Sequence, residues 1–147
     1  MNKHLYNNIG VASAAIMSTL KHCEKLSLPK VFLIMPFVAH QEILSYLGRK
    51  TTRIQSIEKL IAEKINCFSN FNKRYYDNLC LTINTLQLLE DIEYVEIGEG
   101  CIELRKHMEY HSDMGERVAK IFKASGNMAT LLRGEGSTLY LNLRIEL

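Results

Sequence analysis

Apolar residues recur every three or four positions in several stretches of this chain, which is the spacing of one face of an α-helix. The first such stretch covers residues 8–25, with Asn7 or Asn8 available to cap its start. Residues 27–29 are expected to end this helix, because a proline there interrupts the pattern. The positions that predict the helix are Ile9, Ala12, Ile16, Leu20 and Cys23.

The most hydrophobic stretch follows at residues 30–44, KVFLIMPFVAHQEIL. Its uninterrupted apolar run, residues 31–39, is nine residues long, whereas a bilayer-spanning helix needs about 20. We therefore expect buried core rather than a membrane segment, with a loss of about 2–5 kcal/mol for Phe32→Ala if that ring is fully enclosed. Residues 31–35 are expected to form either a buried strand or a short buried helix, and Pro36 is expected to open a second helix from Phe37 to Leu47, closed by Gly48.

Two further amphipathic helices are predicted, at residues 53–68 and 71–89. Two short apolar segments then flank Gly98-Glu99-Gly100, which is a strong β-hairpin signal. Residues 114–132 predict a helix that is weakened or split at Gly126. The end of the chain fits either an alternating strand or a short helix that starts at Ser137. The helix predicted at 53–68 has the apolar face Ile54, Ile57, Leu60, Ile61, Ile65 and Phe68, and the one at 71–89 has Phe71, Tyr75, Leu79, Ile83, Leu86 and Leu89.

The order helix, helix, hairpin at residues 53–105 is the order of a winged-helix module. The expected fold class is therefore mainly α (α+β), a winged-helix-like domain with a small β-hairpin and an N-terminal helical extension. We expect one domain over residues 1–147, made of an N-terminal helical part (1–48), a winged-helix-like core with the hairpin (49–105) and a C-terminal helix with a terminal segment (106–147).

Composition is that of an ordinary globular protein, with 47% hydrophobic and 23% charged residues, so the chain can bury a core. Four cysteines, Cys23, Cys67, Cys80 and Cys101, are widely spaced. The first three fall in helical apolar patterns, which predicts buried free thiols in a reducing cytoplasm. The start MNKHLYNN has no apolar core of a signal peptide, so we expect a cytoplasmic protein.

Candidate chemistry is sparse. Cys101 with the HxxxH pair His107 and His111 is the best metal candidate, but it lacks a fourth ligand and the glutamate of an HExxH site. His40 is more typical of a core or capping histidine than of a general base. The segment GEGST at residues 134–138 lacks the GxxxxGK[ST] pattern of a Walker loop, so it is not expected to bind a nucleotide in that way. The sequence predicts no enzyme, no cofactor and no metal site.

Charges are segregated along the chain although the net charge is only +2. From residue 49 to 74 there are seven basic residues against two acids, and from 88 to 103 there are six acids and no base. A wing that tracks DNA phosphates is usually basic, whereas this hairpin is acidic. Complementary charged faces that steer protein docking explain the pattern better than specific DNA reading. The candidate partner- or nucleic-acid-binding residues are Arg49, Lys50, Arg53, Lys73, Arg74, Glu93, Glu96 and Glu99.

The whole combination resembles the middle component of three-component ABC ATPase systems, the Lamassu-like bacterial defence operons. The specific part is an apolar-Pro-apolar-His block, matched here by Phe32, Leu33, Pro36 and His40 after the Leu28-Pro29 pair. An LYLNLRI ending at 139–145 matches as well, while Ile9 stands where the family pattern has a proline.

The resemblance implies a small non-catalytic subunit that bridges an SMC-like ABC ATPase, which senses foreign DNA, and an effector that is often a nuclease. No catalytic residue is carried over, no membrane partner is implied, and contact with DNA would occur within the complex. Two other hypotheses compete with it. One is a stand-alone winged-helix DNA-binding transcriptional regulator, and the other is a zinc protein built on Cys101, His107 and His111.

Overall fold

The computed structural model describes residues 3–147, with side-chain surroundings given from residue 8 onward. Its helices and strands are, in chain order, α1 (Lys3–Cys23), β1 (Lys25–Ser27), α2 (Leu28–Val31), α3 (Ile34–Val38), α4 (Gln41–Leu47), α5 (Ile57–Glu63), a 3-10 turn (Ile65–Cys67), α6 (Phe71–Asp91), β2 (Val95–Gly98), β3 (Cys101–Leu104), a second 3-10 turn (Ser112–Met114), α7 (Glu116–Leu131) and α8 (Gly136–Asn142). The predicted class, mainly helical with a small sheet, is confirmed. None of the described helices is long and apolar enough to cross a bilayer.

The sheet has three antiparallel strands in the order β1-β3-β2. The hairpin is as predicted, with Glu99 and Gly100 both at positive φ in its turn. β1 was not predicted, and it pairs Leu26 with Ile102. The N-terminal and hairpin parts of the chain thus share one sheet. The winged-helix assignment and the division of the chain into parts at residues 48 and 105 stay predictions.

The central part of α1 is enclosed by the rest of the molecule, and the helix packs against α7, α6 and α3. All nine residues from 12 to 20 are buried, and several of them are small, so neighbouring helices approach closely. The buried hydroxyls of Ser18 and Thr19 donate to the Ala15 carbonyl at 3.3 and 2.8 Å, which satisfies them within the helix. Asn7 and Asn8 lie inside α1, so the predicted cap at either residue is wrong.

The apolar stretch forms core as expected, but its helices begin elsewhere. Residues before Pro36 are helical rather than strand, and Pro36 is the third residue of α3 rather than the start of a long helix. Backbone N–H groups in the first helical turn have no partner within the helix, so proline is tolerated there. The helix α3 ends at Val38. The next helix, α4, ends with Gly48 as its C-cap, as predicted.

One aromatic ring of this stretch is fully enclosed, and it is not the predicted one. Phe32 is only partly buried, so the expected 2–5 kcal/mol does not apply to it. Phe37 is completely buried, with ring-centroid distances of 4.9 Å to Phe71 and 6.0 Å to Phe68. These three rings join α3 to the start of α6.

Several predicted helices differ in detail. The helix predicted at 53–68 is only α5 plus a 3-10 turn, because Ser56 caps it by accepting a hydrogen bond from the Lys59 N–H at 3.1 Å. Ile65 and Ile83, predicted on buried faces, are 66% and 46% exposed. α7 runs unbroken through Gly126, so the predicted split is wrong. The C-terminal segment is the helix α8.

Candidate functional site

A basic cleft lies where the loop after α4 meets α7. It has a volume of about 460 Å³. Three of the predicted site residues, Arg49, Lys50 and Arg53, come together here. Sequence reasoning missed Lys123, which α7 adds from a distant position in the chain, and no local signal could have found it. The lining residues are Gly48, Arg49, Lys50, Thr52, Arg53, Lys123, Gly126, Asn127 and Thr130.

The loop that carries these cations is fixed to α7. The Asn127 side-chain amide donates to the Leu47 carbonyl at 2.7 Å and to the Thr52 carbonyl at 3.4 Å. The buried Thr52 hydroxyl donates to the Tyr46 carbonyl at 2.6 Å. At Gly48 an added Cβ would lie 3.4 Å from the Lys123 Cβ, so the loop and α7 are in close contact there. The loop that carries Arg49, Lys50 and Arg53 is therefore held in one conformation by hydrogen bonds and by its contact with α7.

The other two predicted cations lie outside this cleft and have structural partners. Arg74 is half-buried on α6, and its guanidinium donates to the carbonyls of Pro36 at 3.1 Å and Cys67 at 2.9 Å while lying over the Phe71 ring. Burial lowers the pKa of this guanidinium. Lys73 forms an exposed ion pair with Asp77 at 2.7 Å. Arg74 thus holds α3 and the 3-10 turn against α6.

We call Glu93, Glu96, Glu99 and Glu103 the acidic hairpin. None of these four residues lines the basic cleft. Glu93 and Glu99 are exposed at positive φ on either side of β2. Glu96 pairs with Arg105, which also approaches Glu103 at 3.9 Å. Arg105 lies just beyond the acidic run and partly neutralises it.

An apolar groove runs between α5 with its 3-10 turn and α8. Its volume is about 880 Å³. Ile65 and Leu141, which are 66% and 79% exposed, line it together with Ile61 and Phe68. Sequence analysis missed this groove, because it placed Ile65 in the core. Exposed apolar surface of this kind is typical of protein–protein contact.

The residues considered for chemistry have other roles. His40 caps α4, with its Nδ1 accepting from the Ile43 N–H at 3.3 Å. Burial, followed by the charge of Arg74, lowers the pKa of His40. Residues 107 and 111 are not helical, so the HxxxH pair lacks the helical spacing that would align both rings. Among residues 3–147 no group of three His, Cys, Asp or Glu side chains is placed to hold a metal ion.

All four cysteines are free, but only Cys67 is fully buried and Cys80 is exposed, which corrects the prediction of three buried thiols. The Cys67 thiol donates to Glu42 Oε2 at 2.6 Å. Burial and this hydrogen bond raise the pKa of Cys67 to about 11, so the thiol stays protonated near neutral pH. A protonated thiol is a poor nucleophile.

The family model described as ABC-three component (ABC-3C) system Middle Component 3 matches residues 8–147. No curated protein and no solved structure matches the chain significantly. The match runs from within α1 to the end of the chain and includes every element from β1 to α8.

Proposed function

Because this chain belongs to the ABC-three component (ABC-3C) system Middle Component 3 family, we propose that it is the bridging subunit of a Lamassu-like bacterial anti-phage or anti-plasmid complex. It links an SMC-like ABC ATPase that senses foreign DNA to an effector, often a nuclease, and helps control the effector's activation. The family match over residues 8–147 is the observation that carries the proposal. The complex would be cytoplasmic.

The non-catalytic part of this proposal is supported by what the reactive side chains do. His40 caps a helix, Cys67 is bound to Glu42, and Arg74 is held by two backbone carbonyls. Each of these groups has a partner that stabilises the fold. The chemistry of the complex would then belong to its other subunits.

The bridging part is supported by three surfaces of different character on different elements. The basic cleft joins the loop after α4 to α7, the acidic hairpin lies on β2 and β3, and the apolar groove lies between α5 and α8. Opposite charges favour different partners and speed their encounter. A subunit with such separate surfaces can contact more than one partner at a time.

The test is co-purification from cells that express the chain with its neighbouring genes. We expect a tagged chain to retain a large coiled-coil ATPase and an effector. Reversing three hairpin charges, with Glu93→Lys, Glu96→Lys and Glu99→Lys, should reduce retention of one of them. A matched control with the same net charge reverses Glu109, Asp113 and Glu135, which are exposed.

Two results would count against the proposal. If the neighbouring genes encode neither an ATPase nor an effector, the bridging role is wrong. If the control reduces retention as much as the hairpin variant does, the hairpin is not a docking surface and only overall charge matters.

A further inference from the structure

The four cations of the basic cleft, Arg49, Lys50, Arg53 and Lys123, have no carboxylate partner within the described part of the chain. No acidic residue lines the cleft. What distinguishes these four from other exposed cations is that one cleft brings them together. A cleft lined by one sign of charge focuses its potential and attracts an oppositely charged ligand.

The cleft is also preorganised in the free protein. Asn127 and Thr52 hold the loop backbone through hydrogen bonds to carbonyls, and Gly48 allows the loop to touch α7 beside Lys123. A braced loop loses little conformational freedom on binding, so more of the contact energy appears as affinity.

The composition of the walls favours a nucleic acid over a protein. The centre of a protein–protein interface is apolar, whereas the cleft contains no large apolar side chain. Interfaces with DNA are polar and strongly positive. The groove beside α8 differs from the cleft, because it exposes the large apolar side chains of Ile65 and Leu141.

The same walls argue for a duplex whose base sequence is not read. No aromatic side chain lines the cleft, so the stacking that holds single strands is missing. The one amide side chain, Asn127, already donates to two carbonyls, which removes the usual reader of adenine. Cations that contact phosphates fix position but carry no sequence information.

We propose that the basic cleft binds the phosphodiester backbone of double-stranded DNA without base specificity. This deepens the proposed function, from which it takes only the setting, the foreign DNA sensed by the assembly. Its test uses the purified chain alone, so it can fail while co-purification succeeds, and the reverse also holds.

The experiment measures binding of the chain to a fluorescent 30-base-pair duplex between 25 and 200 mM salt. The cleft variant carries Arg49→Gln, Lys50→Gln, Arg53→Gln and Lys123→Gln. The control carries Lys59→Gln, Lys106→Gln, Arg117→Gln and Arg144→Gln, which are exposed, lie outside the cleft and remove the same charge. Thermal melting checks that both variants fold.

We expect the wild-type chain to bind unrelated duplexes equally, with an affinity that falls steeply with salt. The cleft variant should lower the slope of log affinity against log salt by about 3 to 4, because each phosphate contact contributes about 0.9. The control should lower it by less than about 1. Equal losses in both variants would show that net charge alone binds DNA and would overturn the proposal.

Two competitors test the choice of ligand. Poly-glutamate that displaces the duplex as well as unlabelled DNA does would assign the cleft to an acidic protein and overturn the proposal. Tighter binding of a single-stranded thymidine oligonucleotide than of the duplex would overturn it too, as would the absence of binding at 25 mM salt. If both poly-glutamate and the single-stranded oligonucleotide compete poorly with the duplex, the proposal is supported.

Asn127 provides a variant that keeps every charge. Asn127→Ala frees the loop, and we expect DNA affinity to fall roughly two- to tenfold, the cost of holding one or two mobile side chains. In the background of the cleft variant the same change should leave the remaining DNA affinity unchanged, because the cations that the braced loop positions are gone. An equal effect in both backgrounds would show that Asn127 acts only on folding.

Discussion

α1 and α6 each have 21 residues, yet they relate to the rest of the molecule in opposite ways. α1 is buried on every side between residues 12 and 20, and it achieves this with small side chains. α6 buries one face and exposes large apolar residues on the other, among them Tyr76, Ile83 and Leu88. Two helices of equal length therefore have different roles. α1 forms the centre of the core, whereas α6 leaves apolar side chains exposed on the surface of the free chain.

The strongest way to break this comparison is to remove equal side chains from both helices. Ile16→Ala in α1 should cost about 2–5 kcal/mol, since the side chain is completely buried and leaves a cavity. Ile83→Ala in α6 should cost less than about 1 kcal/mol. Urea denaturation of both variants measures the difference, and equal losses would show that the two helices are packed alike.

A second test adds volume instead of removing it. Ala15→Leu in α1 should destabilise the protein by about 1–3 kcal/mol, because the enclosing helices leave no room for the larger side chain. Asn84→Leu on the exposed side of α6 is the matched change and should stay within about 0.5 kcal/mol. A tolerated leucine at position 15 would mean that α1 is less tightly enclosed than the structure shows.

The third test sharpens the comparison on the buried face of α6. Arg74→Met keeps an apolar stem but leaves the carbonyls of Pro36 and Cys67 without their donor, which should cost about 1–3 kcal/mol. Lys73→Met, one residue away, removes only an exposed i,i+4 ion pair and should cost no more than about 0.5 kcal/mol. Unfolding curves of the two variants that coincide would contradict this assignment.

The smallest effect is expected at His40, beside Arg74. His40→Ala should cost about 1 kcal/mol at pH 8 through loss of the cap. Because the pKa of His40 is lowered in the folded state from 6.5, the folded protein takes up a proton less readily than the unfolded chain. The stability due to His40 is therefore complete above pH 6.5 and is lost as pH falls through the lower, folded value.

His40→Asn is the control for this pH effect, because asparagine caps a helix without titrating. Subtracting its unfolding free energy from that of the wild type, at several values between pH 5 and 8, isolates His40 from the other histidines. A difference that does not change with pH would contradict the assigned shift.

Local patterns predicted the elements whose stabilising contacts are local. α6 follows from its repeat of apolar residues, and the hairpin from Gly98 and Gly100 around its turn. β1 was missed because three residues carry no periodicity, and Leu26 becomes a strand residue only through pairing with Ile102. Gly126 was expected to split α7, but the ring of His22 on α1 lies 3.8 Å from where its Cβ would be, so packing against α1 supports the helix there.

For the basic cleft too, the part that is local in sequence was predictable and the part contributed from a distance was not. Arg49, Lys50 and Arg53 are close in sequence, and their charge was visible as a run. Lys123 joins them only because Asn127 and Gly48 bring α7 against the loop. Arg74 belongs to the same run in sequence, but the half-buried position of its side chain gives it two carbonyls instead. A charge run thus predicts neither which cations stay available nor which distant one joins them.

The pairing of β1 with β3 has a consequence for how the chain is made. Leu26 leaves the ribosome 76 positions before Ile102, its partner in the sheet. At about 5–20 residues per second this gap lasts roughly 4 to 15 s. In the first part of that time α3, whose residues are all buried in the finished protein, lacks α6, which packs against it in the folded protein. The apolar surface of α3 is therefore exposed on the nascent chain until residues 71–91 have been made, and slow translation of that segment would prolong this stage.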